Sequence, residues 1–276
     1  MHQRLTLGGT IGAGLLGAML FMTLAGLIAL PYDPVALDFN QRLVAPSAAH
    51  WFGTDQFGRD VLSRVVLGGR GSLLIASLTV LFTVVIGLPL GALLAYVGGW
   101  VERAGMIVLD ALLAFPSLLI ALAIMAVTGP SQSGLIIALT IAYTPGVVRV
   151  TRSVALSLRE TAFVQASEVL GHTTGHIVWR HVMPNCVAPV AVLATTLFAS
   201  ALLSESALSF LGLGVPPPAP TWGGMLADGR SFLSEALWLS LFPGIAIALS
   251  LLGSNMLGDA LRDRLDPRMR SMGNAA

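Results

Sequence analysis

The chain has no lysine; all fifteen of its basic residues are arginine. A standard phosphate loop needs a lysine on the β- and γ-phosphates of its nucleotide, so a P-loop ATPase is excluded. Schiff-base chemistry on lysine is excluded with it. Any ATP that powers this protein is hydrolysed by another chain. Cysteine is reduced to one residue, Cys186, which rules out an internal disulfide and a multi-cysteine metal site. Charge is scarce as well: 11% of the 276 residues are charged, where a soluble domain carries roughly a quarter. The formal net charge of +1 leaves no basic footprint for nucleic acid. Disorder needs low hydrophobicity and high net charge, whereas 55% of this chain is hydrophobic and its mean hydropathy is +0.82.

Long uncharged apolar runs fill the chain instead, the signature of an all-α integral membrane protein. A spanning helix takes about 20 mostly apolar residues. The runs predict spans near 6–30, 71–101, 104–128, 134–148, 187–211 and 236–258, six in all. The third and fourth share one run, divided at 129–134 by Gly-Pro-Ser-Gln-Ser-Gly, where a turn falls. The fourth is short for a span. The first is too long for a signal-peptide core of roughly 7–15 residues and reads as a retained anchor. With the N-terminus in the cytoplasm, ten of the fifteen arginines fall inside: Arg4, Arg103, four in 149–180 and four in 262–270. Arg42, Arg59, Arg64, Arg70 and Arg230 fall outside, in segments that also hold Asp33, Asp38, Asp55, Asp60, Asp228 and Glu235. This bias is the positive-inside pattern, and both termini are expected in the cytoplasm. Of the outer segments, 31–70 is polar and turns amphipathic and helical from Asp60, with Asp60 and Arg64 at i,i+4. The other, 212–235, carries the stiff stretch Pro216-Pro217-Pro218-Ala219-Pro220.

Spans two to six each hold one proline: Pro89, Pro116, Pro145, Pro189 and Pro243. Proline inside a helix frees a carbonyl and kinks the axis. Proline is common in spanning helices in any case, but five together point to a mobile bundle. Gly8 with Gly12, and Gly87 with Gly91, have the i,i+4 spacing that allows close helix approach. Asp110 and Glu205 lie within apolar stretches. Membrane carboxylates are functional candidates by default. A proton relay would need more of them, so structural pairing or an interfacial position is the simpler reading. His172 and His176 have the spacing of a zinc-binding helix but lack its glutamate, with only Glu168 nearby; a polar helix explains them. No Gly-x-Ser-x-Gly elbow is present.

The inner segment 149–185 is the best lead. Gln165-Ala166-Ser167-Glu168-Val169-Leu170-Gly171 reads as a short helix with a glycine C-cap. A second amphipathic stretch, Ile177, Val178 and Val182, is expected to end at Met183-Pro184-Asn185, before span five. Two short helices at the cytoplasmic face would make a docking knob. Small Ala166 and Ser167 let a partner surface come close, and Gly171 allows a sharp exit.

This segment resembles the EAA loop of ABC-importer permeases. Ala166, Gly171 and Pro184 fall at matching positions; Gln165, Ser167, His181 and Met183 depart from the pattern. Gln165 keeps a hydrogen-bonding end where the pattern has a charge. Further motifs are similar to the "C" permeases for dipeptides, oligopeptides and nickel. They are His50-Trp51-Phe52-Gly53-Thr54-Asp55-Gln56-Phe57-Gly58-Arg59-Asp60, the stretch from Asp110 to Pro116, the stretch from Leu208 to Gly214, Pro218-Ala219-Pro220-Thr221-Trp222-Gly223, and the tail from Gly258 to Arg268. Together they cover about residues 30–270.

The resemblance implies a type I ABC-importer permease fold in the bacterial inner membrane, with six spans and the EAA loop inside. Residues 1–70 would form an anchor helix and extracytoplasmic loop, and 71–276 the permease domain. The implied partners are a second homologous permease, two ATP-binding cassette subunits that bind ATP and magnesium, and an extracytoplasmic solute-binding protein. Gln165, Ala166, Ser167, Glu168, Leu170, Gly171, His172 and Pro184 would couple to the ATPases. Gly53, Thr54, Asp55, Gly58, Arg59 and Asp60 would form the outer family motif. The chain would be a non-catalytic half of a gated channel, with no metal or cofactor of its own. Peptides are the first expectation for the solute, and nickel or a nickel chelate the second. An ion-driven transporter would want intramembrane ionisable groups and an internal repeat, and an intramembrane metalloprotease has no foothold beyond His172 and His176.

Overall fold

The computed structural model describes residues 7–265. Arg4, Arg268, Arg270 and the end of the tail motif lie outside them. Ten α-helices carry the described chain: α1 Leu7–Ala25, α2 Val61–Val97, α3 Gly99–Leu113, α4 Ser117–Thr128, α5 Gln132–Arg159, α6 Ala162–Val169, α7 Thr174–Ile177, α8 Met183–Phe210, α9 Trp222–Gly229 and α10 Trp238–Leu265. α1, α2, α5, the continuous helix from α7 through α8, and α10 are each long and apolar enough to cross a membrane. The pair α3 and α4 passes that test only together, bent by 87° between them, so the described residues hold five such helices, or six spans if the bent pair is counted as one.

Local chemistry sets several of these ends. Asp60 caps α2 by accepting the Ser63 N–H at 2.8 Å, Ser131 caps α5 through Gly134, and Thr221 caps α9 through Gly224. α2 therefore starts at residue 61, ten residues before the expected span, and runs without a break through residue 70. The span expected at 104–128 is really two helices. Pro116 has no N–H and disfavours helix at Phe115 before it, so the chain turns at 114–116. α4 has 12 residues, about 18 Å of helix, too short to cross a hydrocarbon core of about 30 Å alone. The other four prolines, Pro89, Pro145, Pro189 and Pro243, stay inside continuous helices. α5 extends past the expected 134–148 on both sides, to Arg159.

Helices in lipid associate by close packing of small residues, because hydrocarbon offers no hydrophobic drive between them. α2 lies along α5, α1 along α10, and α8 touches α2, α5 and α10. A Cβ on Gly91 would stand 2.6 Å from the Val148 carbonyl oxygen, and one on Gly12 would stand 2.8 Å from that of Gly253. Both expected close approaches are present, α2 on α5 and α1 on α10. At one end of the bundle, residues 31–60 and α9 cover α2 and α10, with Trp222 fully buried and its Nε1 donating to the Val65 carbonyl at 2.8 Å. At the other end stands α6. The first residues of α1 and the last of α10 lie at that second end, since Gly8 faces Met256 while Trp238 starts α10 at the loop end.

Candidate functional site

The inner loop forms a knob as expected, built differently. α6 closes with a glycine motif: Gly171 N–H donates to the Glu168 carbonyl at 2.9 Å and His172 N–H to the Ser167 carbonyl at 3.3 Å. Gly171 takes φ +80°, a conformation that L side chains rarely adopt. This turn leaves Val169 and Leu170 88% and 75% exposed at the tip. Val164 is the buried anchor of α6, set among Ala92, Ala95, Ala155, Ile177 and Val178. Gln165 and Ala166 face outward. Ser167 does not: it is buried, and its hydroxyl lies 3.0 Å from His172 Nδ1. The expectation that Ser167 opens the surface to a partner is thus corrected, because its side of the helix faces the bundle.

The second expected helix is corrected too. α7 passes through a wide π turn, 178–182, directly into α8, giving one helix from Thr174 to Phe210. Pro184 does not end it. The wider turn removes the clash that a proline ring makes with the preceding turn of an α-helix. His172 and His176 stack face to face with ring centres 4.5 Å apart, and His181 meets His176 edge-on at 5.9 Å. This is a ladder of parallel and perpendicular rings rather than a set of nitrogens aimed at one point.

The motif from Gly53 to Asp60 folds into a buried brace. Asp55 accepts from Arg59 Nε at 2.6 Å and stands 3.4 Å from Arg64 Nε; Arg64 reaches on to Asp228 of α9 at 3.8 Å. Asp60 holds His50 at 2.9 Å besides capping α2. Thr54 accepts the Trp238 indole N–H of α10 through its carbonyl at 3.1 Å. Gly53 and Gly58 have φ of +75° and +78°, and a Cβ on Gly58 would stand 1.7 Å from the Asp38 carbonyl oxygen. Asp60 and Arg64, at i,i+4 in the sequence, take different partners. Above the brace, Phe57, Arg59, Asp228 and the proline stretch 216–220 line an open cleft of about 730 Å³.

Both apolar-stretch acids are structurally paired. Glu205 is fully buried and accepts hydroxyl hydrogens from Ser209 at 2.8 Å and Ser72 at 3.1 Å, tying α8 to α2. Asp110 meets Arg149 at 2.5 Å across α3 and α5, where Glu102 also pairs with Arg152. Sequence reasoning missed Tyr96, Glu102, Arg152, Asp228 and Trp238. Their partners are far away in the chain, so no local spacing marks them.

The fold is that of a multi-pass helical membrane protein with a knob at one end and a braced loop at the other. Residues 87–271 match the family described as binding-protein-dependent transport system inner membrane component, and the chain belongs to that family. It is 46% identical over 232 residues to the dipeptide transport system permease protein DppC of Alkalihalophilus pseudofirmus, covering 84% of this chain and 76% of that one. It is 41% identical over 274 residues to the di/tripeptide transport system permease protein DppC of Pseudomonas aeruginosa, covering 94% and 89%. Among solved structures, the MetNI methionine ABC transporter in an inward-facing form superposes with a TM-score of 0.61 at 18% identity, over 74% of this chain and 96% of that one. At that identity the likeness is one of fold.

Proposed function

We propose that this chain is one permease half of an ATP-driven importer of di- and oligopeptides in the bacterial inner membrane. The knob end faces the cytoplasm and the braced loop faces outward. A second, homologous permease completes the pathway, two ATP-binding cassette subunits bind ATP and magnesium, and a solute-binding protein delivers the peptide to the outer face. Closure of the ATPases moves α6, and the spans rearrange around the pathway. This chain supplies docking and gating and breaks no bond itself.

The observation that carries the reading is the tip of α6. Two adjacent apolar side chains, Val169 and Leu170, stand in solvent on a helix whose root is buried. Exposed apolar groups on a rigid element mark an interaction surface. The permease relatives named for dipeptides and di/tripeptides support the choice of solute. The arginine bias supports the orientation.

The test is a detergent pull-down of the tagged chain from native membranes, as wild type and as Gly171→Asp. Wild type is expected to bring down a second permease and P-loop ATPases, and the variant to lose the ATPases while keeping the permease. A wild-type complex without any ATPase, across several mild detergents, would overturn the reading. Vesicles holding the complex are expected to take up labelled dipeptides and not nickel.

A further inference from the structure

A side-chain hydrogen bond joins the knob to α2. Glu168 lies on α6 just before the exposed tip, and its Oε1 accepts the hydroxyl hydrogen of Tyr96 on α2. Arg159, at the end of α5, sets its guanidinium over the same ring, 5.5 Å from the centroid. Tyr96 stands next to a joint. Val97 ends α2; Gly98, with φ of +66°, separates it from α3, whose first residue Gly99 has φ of +63°. α3 buries one residue, Leu109, and is otherwise held to α5 by the Glu102–Arg152 and Asp110–Arg149 pairs. Its far end bends by 87° into α4. α3 is therefore an arm between two breaks, and the nearer break is two residues from Tyr96.

The two attachments of α6 differ in kind. Val164 packs among alanines and valines, and apolar packing is non-directional, so it permits sliding. A hydrogen bond to a carboxylate is short and directional, so it follows a displacement of its partner. We propose that Tyr96 is a positioning residue for energy coupling: by bonding Glu168 it ties the docking helix to the α2–α3 joint, so that movement of α6 under an ATPase partner is delivered to α3. This rests on the reading of α6 as the docking helix. The tyrosine ring also keeps Arg159 in place, so Tyr96→Phe removes the bond and leaves the stacking.

The test uses the complete transporter, purified with its partners. A reporter cysteine, Trp100→Cys, is placed at the start of α3, where Trp100 is 79% exposed, while the native Cys186 is fully buried. Maleimide labelling is timed without nucleotide and after trapping with ATP and vanadate. Trapping is expected to change the labelling rate. Tyr96→Phe is expected to reduce that change about tenfold, the bias that one hydrogen bond to a charged group supplies, with the ATPases still bound and trapping nucleotide; Glu168→Ala, which removes the acceptor but also alters the docking helix, is expected to reduce it at least as much. Adding Tyr96→Phe to Glu168→Ala should reduce the change no further, since both remove the same bond. An unaltered response in both variants, or effects that add, would overturn the proposal while leaving the docking reading intact. Absence of the ATPases from the wild-type complex would overturn both. Tyr96→Leu, which likewise lacks the hydroxyl, carries the test if Tyr96→Phe does not fold.

Discussion

The two ends of the bundle use similar residues for opposite purposes. At the loop end, the residues from Gly53 to Asp60 are mostly buried and bond to α2 and α10, with Arg64 of α2 reaching on to α9. At the knob end, the residues from Gln165 to His172 are mostly exposed, and α6 is anchored through few groups. Each end contains a glycine with φ near +80°, and each has arginine–carboxylate pairs nearby. What differs is the surroundings. A dense motif is therefore not by itself a binding surface. At the loop end its polar groups satisfy one another and hold an irregular segment against the spans, as buried polar groups must. At the knob end the same kinds of residues shape a tip and leave it free.

The contrast can be broken most forcefully at the glycines. Gly58→Ala should cost more than about 3 kcal/mol, because positive φ adds to a direct clash with the Asp38 carbonyl. Thermal unfolding of the purified chain in detergent reads this loss. Next comes Asp55→Ala, which leaves Arg59 and Arg64 buried beside each other without their shared carboxylate; about 3 kcal/mol is expected. Gly171→Ala shares the positive φ but has nothing within 4 Å of the new Cβ, so about 1 kcal/mol is expected. Equal losses at Gly58 and Gly171 would show that the backbone angle, and not the brace, controls both ends. The smallest effect belongs to Asp110→Ala. Its pair with Arg149 is about half exposed on both sides, and an exposed ion pair is worth less than about 1 kcal/mol. If this variant matched Asp55→Ala in an unfolding experiment, the distinction between a buried brace and a surface clasp would be lost.

The spans were legible because burying a backbone in hydrocarbon requires long helices, and 18 to 20 uncharged residues are visible without any neighbour. The exceptions are instructive. The expected second span began too late, because an amphipathic segment such as 61–70 looks like a loop helix until Asp60 is seen to cap one continuous α2. The third span was one run in hydropathy but is two helices, since hydropathy does not register the turn at Pro116. Pro184 looked like a stop and was absorbed by a π turn. Within the candidate site, the glycine turn at 171 and the apolar tip could be read locally, because capping involves residues within one turn of each other. The inward direction of Ser167 could not.

The sequence by itself determined the class of the protein: a lysine-free, sparsely charged, helix-spanning chain that holds no phosphate loop, with a glycine-capped inner segment and an ordered set of motifs. These are properties of composition and short spacing. The tertiary structure alone decided that the Gly53–Asp60 motif is an internal brace, that Glu205 is satisfied by hydroxyls from two helices, that α3 is clasped to α5, and that Tyr96 meets Glu168. Those partners lie far apart along the chain: 39 residues for Asp110 and Arg149, 72 for Tyr96 and Glu168, and 133 for Ser72 and Glu205. Which of them meet depends on the rotation and crossing of each helix. Packing against neighbouring helices sets those angles, and hydropathy is blind to them.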